Sequence, residues 1–214
     1  MSKFTTILKD ENAEIVEKKS KFIANISYVE NIREAEEKIK ETKKRYYDAK
    51  HNCIAYRLIE NGMIVEKSSD DGEPSGTAGG PMLNILQKND LCNIIVIVTR
   101  YFGGILLGTG GLVRAYSEAT QKVIEKSIKI LKVEGIEGEV KVDYTNLENF
   151  KYYCKKNEIN IVKIDYYENV VIIIELEKKR KKIFLEDIET KKLNIEYFQL
   201  IREKYINKAV EKNK

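Results

Sequence analysis

The chain has 214 residues, of which 43% are hydrophobic and 34% charged, and it carries a net charge of +4. That is enough apolar content to bury a sizeable core in one large or two small domains, and too little net charge for a long-range steering field. The surplus is shared between the two sides of Gly135, so contact with nucleic acid has to come from a local patch rather than from a basic tail. Cys53, Cys92 and Cys154 lie far apart and form no CxxC pair, and the first residues hold no apolar signal segment, so a reduced, cytoplasmic protein is expected. The longest apolar runs, 94–98 and 170–174, fall far short of the roughly 20 residues a membrane span needs, and no membrane partner is expected.

In chain order, residues 12–29 hold two extended runs that pair as a hairpin around Lys18 to Lys21. Asn31 caps a helix over 32–47, in which Ile32, Ala35, Ile39 and Tyr46 fall close to helical spacing. Its Lys43-Lys44-Arg45 end is read first as cations favouring the helix dipole and second as a nucleic-acid contact. Two strands, 53–59 and 63–67, follow about Asn61-Gly62, a strong hairpin signal. Pro81 opens a short helix to about Gln87, 94–99 is a buried strand, and a helix runs from Gly110-Gly111 to about Lys129 with Leu112, Tyr116, Ala119 and Val123 on one face.

No glycine or proline follows Gly138, and this change of texture places a domain boundary near 133–138. Beyond it come a strand over 138–144, a helix capped by Asn146 with Leu147, Phe150 and Cys154 on one face, paired strands over 159–167 and 169–176, a helix over about 179–190 and a last strand over 193–201. The order is βαββαβ, the split βαβ or ferredoxin-like pattern. Residues 202–214 are charged and are expected to fray as a tail.

The stretch from Asp70 to Ala119 holds both prolines and nine of the twelve glycines, in two loops separated by the 94–98 strand. Glycine lets a ligand approach the backbone, and the open N–H groups of a helix start attract anions, so two such loops meeting at one surface suit a phosphate or phosphodiester. Thr109 stands where a P-loop needs lysine, and Val113 where the dinucleotide fingerprint needs glycine, so neither motif is present.

The candidate anion- or nucleic-acid-binding set is therefore Ser75, Gly76, Thr77, Arg100, Tyr101, Gly103, Gly104, Gly108, Gly110, Gly111 and Arg114, with His51 and Lys21 nearby. The competing reading pairs Arg100 with Asp70, Asp71 or Glu73 and puts one of Tyr101 and Phe102 in the core. Those three carboxylates could hold a magnesium ion, but turn capping is preferred. Ser75 or Thr77 as a nucleophile needs His51, the single histidine, within reach, and His51 with Cys53 supplies two of the four ligands structural zinc wants.

Residues 18–24 (KSKFIA with the lysine before it), 51–57 (HNCIAYR), 70–81 (DDGEPSGTAGGP) and 98–116 (VTRYFGGILLGTGGLVRAY) resemble the YigZ/IMPACT family in order and spacing, over roughly residues 1–130. The remainder resembles the C-terminal domain of bacterial members more weakly. The resemblance implies a cytoplasmic protein linked to translation and an α+β fold in two domains. Residues 1–133 would form a ribosomal-protein-like βα domain resembling the second domain of small-subunit ribosomal protein five. Residues 138–201 would form a ferredoxin-like domain resembling one of elongation factor G, with 202–214 as the tail. Eukaryotic members bear an extra N-terminal domain linked to a stress kinase, and that regulation is not carried over.

The expected function is that of a non-catalytic regulator of translation that binds RNA or the ribosome through the glycine-rich face. The alternative is an enzyme or sensor for a small phosphorylated ligand, with or without a divalent metal. No cofactor is expected, and the sequence leaves the oligomeric state open.

Overall fold

The computed structural model describes residues 2–208, and the contacts divide the chain between Ile130 and Leu131 into two units with a core each. In the first unit come β1 (Lys3–Ile7), β2 (Glu11–Glu17), β3 (Ser20–Tyr28), α1 (Ile32–Arg45), β4 (His51–Glu60), β5 (Met63–Ser69), α2 (Gly79–Lys88), β6 (Ile94–Tyr101) and α3 (Gly108–Lys126). An antiparallel sheet of order β2-β3-β6-β4-β5 forms from five of them.

Central β6 is apolar throughout its first five residues because both of its faces are covered. Ile94, Val96 and Val98 join Phe22, Ala24, Cys53 and Ala55 beneath Met82 and Leu86 of α2 and Leu112, Tyr116 and Val123 of α3. Ile95 and Ile97 join Ile54, Tyr56 and Leu58 beneath Ala35 of α1. Asn31 caps α1 by accepting the Glu34 N–H at 3.0 Å, and the Glu34 carboxylate reaches back to accept the Glu30 N–H, one residue before the cap, at 2.8 Å. The Asn61-Gly62 turn has φ of 49° and 79°, as its sequence predicts. Lys18 and Lys19, in the β2–β3 turn, also have positive φ, 45° and 65°, a conformation that costs a lysine roughly 1–2 kcal/mol.

The second unit contains β7 (Lys129–Val142), α4 (Leu147–Lys156), β8 (Asn160–Tyr166), β9 (Val170–Glu177), α5 (Lys181–Glu189) and β10 (Tyr197–Asn207). Its strands lie in the order β10-β7-β9-β8, all antiparallel, as a ferredoxin-like βαββαβ chain requires. Ile136, Val140, Ile172, Ile174 and Leu176 pack against Phe150 and Cys154 of α4 and Phe184 of α5. The fold is thus α+β in two units, and none of the described helices is long and apolar enough to cross a membrane.

Two expectations are corrected, and one element stands where the sequence predicts none: β1, whose carbonyl at Thr5 accepts the Cys92 N–H at 2.9 Å. β7 begins at Lys129 rather than Gly138, and Gly135 and Gly138 lie inside the strand, where a Cβ would meet the side chains of Ile206 and Phe198. The charged segment expected to fray is strand through Asn207, with Arg202 and Lys204 on Glu137 and Lys204 also on Glu175, while residues 209–214 lie outside the described residues. Ending the chain after Ile201 removes these pairs and the 6%-exposed Ile206. It is expected to cost the second unit more than about 2 kcal/mol, read as a lower midpoint in urea denaturation.

Candidate functional site

Strand register gathers the glycine-rich segments at one end of the first unit's sheet. Lys21, at the start of β3, pairs with Tyr101 at the end of β6, and His51, at the start of β4, pairs with Arg100. The Lys18–Lys19 turn, residues 46–50, the 70–78 loop, the 102–107 loop and the starts of α2 and α3 all leave the sheet there.

Glu73 holds the two glycine loops together. Its carboxylate Oε1 lies 2.7 Å from Nη1 of Arg100 and accepts the Tyr116 hydroxyl at 2.8 Å, with side-chain exposures of 3% for Glu73 and 7% for Arg100. The Arg100 guanidinium lies over the rings of Phe22 and Phe102, at 5.5 and 5.6 Å. Its Nη2 is 3.5 Å from Ser20 Oγ, and its Nε is buried without a hydrogen bond. Phe22 meets Tyr116 edge-on at 5.1 Å, which closes the group from below.

Asp70 and Asp71 are bound internally as well. Asp70 accepts the N–H groups of Gly76, Ala78 and Gly79 at 2.8, 2.9 and 2.8 Å, so the start of α2 already holds an anion. Burial works to raise the Asp70 pKa, but the N–H groups of Gly76, Gly79 and Ala78 outweigh it and hold the carboxyl below its ordinary value. Asp71 lies 2.7 Å from Lys43 Nζ and accepts the Asn52 N–H at 2.7 Å. The Cys53 thiol donates to the Asp70 carbonyl at 2.9 Å, and burial pushes its pKa up to about 12, so it stays protonated.

The start of α3 is different, because no side chain caps it. Gly104 and Gly108 take φ of 81° and 72°, and Thr109 and Gly110 are exposed in the first turn, with Gly111 after them. Gly103 donates its N–H to Ser20 Oγ at 3.2 Å, and a Cβ there would overlap the Lys19 backbone. Arg114 is exposed one turn along the helix, and Ser75 is exposed in the other loop.

Several candidates are engaged by partners within the chain. Arg100 points inward to Glu73, as the competing reading held, because a buried guanidinium needs a counter-charge. Tyr101 lies on the opposite face of β6 and donates to Asp48 at 2.7 Å, which lifts its pKa to about 12. Both Tyr101 and Phe102 are at least partly exposed, so neither is core. The Gly76 N–H is taken by Asp70, and the buried Thr77 donates its hydroxyl to the Pro74 carbonyl at 2.7 Å. His51 Nδ1 lies 2.9 Å from the Asp71 carbonyl, and Lys21 pairs with Glu14 at 2.6 Å.

With the loop carboxylates bound internally, Lys18, Lys19, Lys44, Arg45, Lys50 and Arg114 stand exposed at this end with no ionic partner among the described residues. The sequence points to Arg114 and, as a second reading, to Lys44 and Arg45, but not to Lys18, Lys19 or Lys50. Two consecutive lysines at a hairpin turn, where Asn-Gly is favoured, were the available signal.

A family model described as the Impact N-terminal domain matches residues 18–124, and one described as Domain of unknown function (DUF1949) matches residues 140–189. IMPACT family member YvyE of Bacillus subtilis (strain 168) is 38% identical over 97% of this chain and 95% of its own. IMPACT family member YigZ of Escherichia coli (strain K12) is 32% identical over 74% of this chain and 78% of its own. The crystal structure of a hypothetical protein superposes with a TM-score of 0.64 at 27% identity, over 95% of this chain and 100% of that one.

Replacing Glu73 by alanine leaves Arg100 buried without its counter-charge, and is expected to cost about 3–5 kcal/mol in urea denaturation, with Glu73→Gln milder. For Asp70 the folded pKa lies below the unfolded one, so its stabilisation is present above the ordinary carboxylate range and is lost as pH falls through the depressed value. The stability gap between the native chain and Asp70→Asn is accordingly expected to shrink between about pH 7 and about pH 3.

Proposed function

The chain belongs to the IMPACT family, and on that premise we propose that it regulates translation in the cytoplasm without catalysing a reaction, by binding RNA or the ribosome at the glycine-loop end of its first unit. The link to translation comes with the family. Use of this end is supported by its sorting of charge: Asp70, Asp71 and Glu73 are turned onto internal partners while six cations are left outside. A phosphodiester backbone is the polyanion such a surface suits, and arginine and lysine supply its contacts.

The uncapped start of α3 adds backbone donors beside Arg114. The same internal pairing removes support from a metal-dependent enzyme or sensor, since each carboxylate that would hold the ion has another partner. Among the described residues no cluster of three or more His, Cys, Asp or Glu stands where it could hold a metal.

Co-sedimentation of the purified protein with ribosomes at low and moderate salt tests the reading. Pelleting is expected to fall with salt, and to be lost in a variant carrying Lys44→Ala, Arg45→Ala and Arg114→Ala, whose exposed substitutions leave the Arg100–Glu73 pair intact. Each phosphate contact removed is expected to flatten the plot of log affinity against log salt by about 0.7–0.9. Pelleting that ignores both salt and the substitutions would sink the proposal.

A further inference from the structure

We propose that Phe102 is a fixed stacking platform for an unpaired base, so that the nucleic acid taken at this end is a single strand rather than a duplex. The proposal rests on the reading of this end as an RNA-binding face and specifies what that face takes.

The ring is 56% exposed, although large apolar side chains are stabilised by burial. Its mounting is a chain of buried contacts. It lies 5.6 Å from the Arg100 guanidinium, which is held by Glu73, which is held in turn by Tyr116. The residue after it is held as well: Gly103 is tied to Ser20 and lies directly against the Lys19 backbone. The ring is packed onto the buried Arg100–Glu73 pair, and more than half of the residue is left open to solvent. Such preorganisation lowers the ordering cost of a contact made from outside.

The chemistry around the ring favours a nucleobase. The Lys18–Lys19 turn meets the next residue, Gly103, through the Lys19 backbone, and both lysines hold positive φ at a steric cost. Arg114 lies on the helix that the same loop enters. An aromatic face bordered by unpaired cations matches a strand whose bases stack and whose phosphates are neutralised. In a duplex each base is already stacked on its neighbours, and the deep, narrow major groove of A-form RNA excludes side chains, so a fixed ring finds no face to cover. The neighbouring Ile105 and Leu106, 43% and 83% exposed, would also suit an apolar protein surface, but such a surface gives Lys18, Lys19 and Arg114 nothing to bind.

The chain contains no tryptophan, so Phe102→Trp places a single fluorophore at the platform. Fluorescence anisotropy with a labelled single-stranded RNA and with a duplex of the same sequence, at low salt, is expected to give tighter binding of the single strand. Phe102→Ala is expected to weaken that binding roughly 5- to 150-fold without changing its salt slope, and Phe102→Trp to restore it with its emission quenched.

If the single strand binds Phe102→Ala as well as the native chain, or saturates Phe102→Trp without altering its emission, the platform is refuted while the RNA-binding face stands. Equal affinity for the duplex refutes it too. If Phe102→Ala abolishes pelleting with ribosomes but leaves single-strand binding intact, the ring contacts protein and the proposal falls. If neither RNA form binds and the protein does not pellet with ribosomes, both this proposal and the function it rests on are overturned.

Discussion

The ion pair between Glu73 and Arg100 is the constraint on which the glycine-loop end depends. Both side chains are almost fully buried, and desolvating two charges costs several kcal/mol that their mutual attraction recovers only with good geometry and further hydrogen bonds. Tyr116 supplies one such bond, and the rings of Phe22 and Phe102 cover the guanidinium. The pair joins a loop residue to the end of the central strand, and through Tyr116 to the helix that follows the second loop. Two segments rich in glycine, each with little side-chain surface of its own to pack, are thereby fixed in one place.

That pairing also governs the electrostatics. A chain with a net charge of only +4 has no strong overall field, and its loop carboxylates would cancel much of any basic patch if they faced solvent. Instead Asp70 satisfies the start of α2, Asp71 holds Lys43 and Glu73 holds Arg100. The cations left over at the same end outnumber the free carboxylates. The excess of exposed cations over carboxylates without an ionic partner, such as Glu17 and Asp48, is what makes this end of a nearly neutral protein locally cationic.

The second unit shows how glycine can mark a close approach instead of a break. Gly135 and Gly138 sit beneath Ile206 and Phe198, so a long strand passes under bulky side chains of its neighbour. Charge on β10 did not prevent it from pairing, because Arg202 and Lys204 lie on Glu137, whose hydrogen bond from Lys204, foremost among several, holds its carboxyl below the usual range. Polar alternation along a paired strand is ordinary when each charge has a partner across the ladder.

The α+β class, the two hairpin turns, the cap at Asn31, the central strand and the order βαββαβ were legible in the sequence, since each depends on residues adjacent or nearly adjacent in the chain. The four segments that carry the family resemblance were legible for the same reason. The inward turn of Arg100 was readable only as one of two alternatives, because its partner is 27 residues away and a guanidinium looks the same in sequence whether it meets a phosphate or a glutamate. Arg100 and Tyr101 are neighbours with opposite fates, decided by which face of β6 each occupies once its register is set, one turned to Glu73 and the other to Asp48. Local propensity and spacing determined the elements. Long-range pairing, which alone brings Glu73, Arg100 and Tyr116 together, decided which charges are buried and which are left for a partner.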